Sequence, residues 1–123
     1  MRHPERIEQQ KFVAHVREFY PDLMFWHTPS GEARHSHVGV TLLQMGTRPG
    51  VPDLFFPTLR LFIEFKAPGE KESPAQVYVR KVLTLAGYTC LVYDDWRLAW
   101  AELERRIREC GSAWGKLSGL PDA

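Results

Sequence analysis

Cysteine is scarce in this chain: two residues, Cys90 and Cys110, among 123. That excludes a disulfide framework and a cysteine-based zinc site. It fits a reduced, cytoplasmic chain with Cys90 packed in a strand and Cys110 exposed. Long apolar runs are also missing. The longest are a few residues, such as Leu61-Phe62-Ile63, so no segment is suited to span a membrane. The opening MRHPERIEQQ has no apolar core and no small-residue cleavage site, and it does not read as a secretory signal. Net charge is nearly absent, with 16 Lys and Arg against 15 Asp and Glu. No GxGxxG, P-loop or GxSxG occurs, so a nucleotide cofactor and serine hydrolysis have no support.

What is present describes an ordinary folded domain. Hydrophobic residues make up 44% and charged residues 25%, which excludes a disordered chain. A chain of this length buries enough surface to fold without disulfides or metal. Charge is unevenly spread. Between Glu32 and Asp53 there is no acidic residue, while Arg34, His35, His37 and Arg48 all fall there, with His27 just before. These five are candidate contacts for a polyanion such as DNA; a solvated polar loop is the alternative. The spacing of the three histidines matches no zinc pattern.

Periodicity divides the chain into elements. Pro4 and Glu5 suit the first turn of a helix that carries Phe12, Val13, Val16 and Phe19 and stops at Pro21. Leu23–His27 reads as a strand. Ser36 is placed to cap a helix ending at Gly46. Leu54-Phe55-Phe56 and Leu61-Phe62-Ile63, around Pro57-Thr58-Leu59-Arg60, read as a hairpin buried on both faces. Ser73-Pro74-Ala75-Gln76 is a capping box with proline at the first helical position, opening a helix to Gly87. A strand over 88–93 and a helix from Asp94 or Asp95 through Ile107 follow. Trp96 and Trp100 have the spacing of a buried helix face. The four tryptophans, Trp26 and Trp114 included, read as core or terminal anchors. The order is α-β-α-β-β-α-β-α: one α/β domain over residues 1–110, with a Gly- and Ser-rich tail over 111–123 expected to be mobile.

The chemistry gathers at the hairpin. With Thr58 and Leu59 central in the turn, Phe56 faces Leu61, Phe55 faces Phe62, Leu54 faces Ile63, and Asp53 faces Glu64. Two carboxylates then oppose each other at about 5 Å, with Lys66 on the same face by strand alternation. Like charges so placed destabilise a sheet unless a divalent cation lies between them, and hard oxygen ligands select Mg²⁺ or Mn²⁺. A lysine beside such a cation holds a water or stabilises charge on phosphorus. The bland alternative is an ion pair at a strand end. Gly50-Val51-Pro52 makes a rigid lead-in to Asp53. Gln76 either reaches this site or caps its own helix. Glu5 continues the stripe of Gln9, Val13 and Val16 and so points inward, while Glu8 competes for that role.

Gly50-Val51-Pro52-Asp53, Ile63-Glu64-Phe65-Lys66 and Ser73-Pro74-Ala75-Gln76 together resemble the VRR-NUC nucleases of the PD-(D/E)XK superfamily. The likeness extends to Glu5…Gln9 and to His27-Thr28-Pro29-Ser30-Gly31, where Ser30 stands in place of a frequent asparagine. It implies a mixed central sheet flanked by helices. It also implies Asp53, Glu64 and Glu5 as ligands of Mg²⁺ or Mn²⁺, Lys66 as catalytic lysine and Gln76 as accessory residue. The implied activity is DNA endonuclease, of the stand-alone phage type similar to Holliday junction resolvases. Symmetric junction cutting takes two sites, hence a homodimer. Flaps, nicks or plain duplex are alternative substrates, and an inactive DNA-binding module is the rival of another class.

Overall fold

The computed structural model describes residues 3–29 and 37–111, and for residues 37–40 the backbone alone. The tail expected over 111–123 falls outside the described residues from 112 onward, as do Arg34 and His35.

Helix α1 (Pro4–Phe19) has proline in its first turn and Glu5 at its positive end, and it buries Phe12 and Val16 completely. The chain leaves it at Tyr20, ahead of Pro21. Strand β1 is only Trp26–His27, shorter than the five residues expected. It pairs with β2 (Leu54–Phe56), and past Phe56 the chain enters a 3₁₀ turn at Pro57, which has no N–H to extend a ladder. Phe25 stacks its ring on Phe56 at 5.1 Å instead.

Helix α2 (His37–Gln44) closes with the Thr47 N–H on the Leu42 carbonyl and the Gly46 N–H on that of Leu43, a glycine-terminated end with Gly46 at φ +104°. The hairpin of β2 and β3 (Leu61–Phe65) has the expected register, Leu54 to Ile63, Phe55 to Phe62 and Phe56 to Leu61. Its burial differs from expectation. Leu54, Phe56, Leu61, Ile63 and Phe65 are buried on one face, whereas Phe55 and Phe62 on the other are half-buried, stacked at 4.2 Å.

Helix α3 (Pro74–Leu85) returns the chain to β4 (Thr89–Tyr93), which runs parallel to β3, and Asp95 caps α4 (Trp96–Cys110) through the Arg97 N–H at 2.9 Å. This last helix runs past Ile107 to Cys110, which is half-buried rather than exposed. The chain is therefore α/β: a mixed sheet of order β1-β2-β3-β4, two antiparallel pairs and one parallel, flanked by helices. On the buried face α1 and α4 meet, with Phe12, Val16, Ala99 and Leu103 against Leu54, Leu61 and Ile63. Trp96 and Trp100 are half-buried at the edge of this core, around His15. On the other face Val79, Val82 and Leu83 of α3 form a cleft with Phe62 and Val51. Among the described residues no helix is long and apolar enough to cross a membrane.

Candidate active site

Strand register puts Asp53, just before β2, opposite Glu64 of β3. The two are tied crosswise: the Asp53 N–H donates to Glu64 Oε2 at 3.2 Å, and the Phe65 N–H donates to Asp53 Oδ2 at 3.0 Å. From the other side, the Asp53 carbonyl accepts the Thr28 N–H at 2.8 Å and His27 Nδ1–H at 2.9 Å. The backbone of Asp53 is thus pinned between β1 and β3.

The lead-in to Asp53 lies directly on the first turn of α3. Gly50 sits at φ +90°, and a Cβ built there would stand 2.6 Å from the Ala75 carbonyl carbon and oxygen. Only glycine permits that approach. It sets the Gly50-Val51-Pro52 segment beside Gln76, whose two alternative roles turn out to be simultaneous. Its Oε1 accepts the Ser73 N–H at 2.7 Å, completing the capping box, while its Nε2 donates to Glu64 Oε1 at 3.4 Å.

Lys66 extends the parallel ladder, its N–H donating to the Tyr93 carbonyl at 2.9 Å, and its largely buried Nζ lies 3.4 Å from Glu70. Glu5 comes in from α1 and lies 3.4 Å from His3 Nδ1. Glu8 faces elsewhere and accepts the Trp96 N–H at 3.1 Å, capping the start of α4. Glu5, Asp53, Glu64, Lys66 and Gln76 all line one open cavity of about 670 Å³, together with Gln9 and His27.

Of the remaining candidates, Arg34 and His35 lie outside the described residues, and Arg48 is not gathered there. Arg48 stacks over Tyr78 at 5.3 Å, beside the apolar cleft of α3. Of His37 only the backbone, at the first residue of α2, is described. Several residues of the cavity were not singled out in the sequence as parts of it, among them His3, Arg6, Gln10, Gln9 and Glu70. Gln9 reaches His27 at 3.2 Å, a contact its position on the stripe with Glu5 hints at, whereas Glu70 as partner of Lys66 has no sequence signal.

Burial dominates the electrostatics. Glu64 is 8% exposed, and its pKa is pushed up to about 8 by burial first and by the Asp53 charge second, against the pull of Lys66. Asp53 is raised too, again by burial, with the Phe65 N–H opposing. Without a cation, then, the pair holds a proton near neutrality. A carboxyl whose folded pKa exceeds its unfolded value of about 4.5 gives stability that is full below 4.5 and lost as pH rises towards 8. We expect the protein in EDTA to lose melting temperature over that window. Glu64→Gln should flatten the loss, as a pH series of thermal melts will check.

Among the described residues no three His, Cys, Asp or Glu side chains are gathered closely enough to hold a metal ion alone. Glu5 shares the cavity with Asp53 and Glu64 but does not form a compact triad with them. The donor set nevertheless fits a hard cation. Two adjoining carboxylates with oxygen donors only suit Mg²⁺ or Mn²⁺, which are commonly held by one or two carboxylates plus water and substrate phosphate.

Comparison with known proteins gave no match to any family model, curated protein or solved structure.

Proposed function

We propose that this chain is a divalent-metal-dependent endonuclease that hydrolyses phosphodiester bonds in DNA. The observation that carries this reading is the crosswise-tied pair Asp53 and Glu64, buried at a strand end with Lys66 and Gln76 in one open cavity. A structural ion pair joins opposite charges, whereas here two carboxyl groups adjoin each other on the wall of an open cavity.

Asp53 and Glu64 would hold Mg²⁺ or Mn²⁺, with Glu5 across the cavity. Bound there, the cation supplies an acidified water and neutralises charge at the scissile phosphate. Lys66 brings a positive charge to the side of the non-bridging oxygens, where charge builds in the transition state. Gln76 fixes the Glu64 carboxylate through its amide while anchored by its own helix cap. His27, with Nδ1–H committed to the Asp53 carbonyl, keeps Asp53 in place.

Labelled DNA tests the reading. A four-way junction, a flap, a nicked duplex and the matching linear duplex are incubated with Mg²⁺, Mn²⁺ or EDTA. Cutting is expected with either metal and not in EDTA, and Lys66→Ala should abolish it. Absence of cutting on all four substrates would move the DNA-binding module ahead. The junction preference, and the homodimer it requires, rest on the family resemblance. Paired, symmetric cuts by a species of dimer mass in light scattering would support both.

A further inference from the structure

We propose that Glu70 is a positioning residue for Lys66: its carboxylate holds the Lys66 ammonium off Asp53 and Glu64, so that this pair stays open to a divalent cation. The proposal rests on the nuclease reading above and deepens it. Lys66 carries a compact charge on a flexible stem, two residues beyond Glu64 and on the same face of the sheet. Left alone, an ammonium so placed turns to the negative charge beside it, which here is the carboxylate pair that a cation would need. It does not do so. Among the described residues its ion pair is with Glu70, at 3.4 Å, and neither Asp53 nor Glu64 is paired with it. Its charge is nevertheless near enough to pull on both carboxyls, although burial outweighs that pull.

The chain is built to bring Glu70 to this place. The Lys66 N–H is fixed on the Tyr93 carbonyl at 2.9 Å and its side chain is only 13% exposed, so little but the ammonium is left to orient. Pro68 and Gly69, the latter at φ +80°, form the corner of a tight turn. The Glu70 N–H closes it on the Ala67 carbonyl at 3.0 Å, and the carboxylate returns to Lys66. Two other accounts compete. An ordinary surface ion pair would have no consequence for the site, yet both partners line the cavity that Asp53 and Glu64 share. A direct cation ligand would have to give up the ammonium that the Glu70 carboxylate already holds.

Manganese binding without DNA, followed by the loss of the free Mn²⁺ signal in electron paramagnetic resonance, tests this with no catalytic step. Glu70→Gln keeps the shape of the side chain and removes its charge. It should weaken Mn²⁺ binding about 3- to 10-fold. Lys66→Met keeps the apolar stem and should bind Mn²⁺ at least as tightly as wild type. In that background Glu70→Gln should have no further effect, because no ammonium is left to restrain. Equal losses in both backgrounds overturn the proposal and make Glu70 a direct attraction for the cation. Unchanged affinity in Glu70→Gln alone overturns it too, and leaves a surface ion pair. Cleavage assays run in parallel keep the two ideas apart. Cutting that Lys66→Ala abolishes, beside equal Mn²⁺ losses in the two backgrounds, removes the role of Glu70 and leaves the nuclease. Mn²⁺ binding that depends on Glu70 only while Lys66 is present, with no DNA cut, does the reverse. A wild type that binds no Mn²⁺ removes both.

Discussion

Asp53→Asn is expected to lower metal-dependent cleavage by about 10²-fold or more while raising the melting temperature of the protein in EDTA. Asparagine keeps the shape of the side chain and an oxygen to accept the Phe65 N–H, which Asp53 Oδ2 holds at 3.0 Å. What it removes is the charge. In the absence of a cation that charge is a liability, since burial raises Asp53 and Glu64 alike and the Asp53 charge pushes Glu64 up further. In the presence of a cation it would be half of the proposed ligand pair. Under the proposed function the site trades stability for activity, and the two readouts are expected to move in opposite directions. Gel assays with Mn²⁺ beside thermal melts in EDTA measure both. Undiminished cleavage would return Asp53 to the status of a strand-end charge. A melting temperature that falls along with activity would make it a structural residue.

Gly50→Ala should be the most damaging of the small substitutions, at about 3 kcal/mol or more. Two costs coincide there. The backbone at φ +90° is one that residues with a Cβ rarely adopt, and the new methyl would meet Ala75 backbone atoms at 2.6 Å and the Gln76 nitrogen at 2.9 Å. Backbone cannot swing aside as a side chain can. Gly46→Ala is the control, because φ is +104° but nothing lies within 4 Å of the added carbon. It should cost only the strain, about 1–2 kcal/mol. Urea titrations of the two variants give the close approach by difference. Equal losses would mean that the Gly50 segment does not rest on α3.

The sequence was informative wherever a local rule had no competitor. A two-residue turn after Pro57 fixes the hairpin register, and the register alone opposes Asp53 to Glu64. Ser73 and Gln76 announce their capping box by spacing. What stayed hidden depends on partners far along the chain. The length of β1 is set by how little of β2 is left for it to pair with, not by the strand-like run from Leu23. Glu8 and Glu5 are equivalent on a helical wheel until α4 arrives and takes Glu8 as a cap for Trp96. Trp26 looked like a core residue because tryptophan usually is one. Only the sheet order, which leaves β1 at an open edge, exposes it.

The parallel pairing of β3 with β4 also puts the site on a timetable. A hairpin closes locally within microseconds, whereas two parallel strands need the whole α3 crossover between them before any rung can form. Asp53 and Glu64, eleven residues apart, meet when the hairpin closes. Lys66 is tied to Tyr93, and Gln76 to Glu64, only once α3 and β4 have docked. During folding the acidic pair therefore exists before its neighbours, and the finished cavity is among the last features the chain acquires.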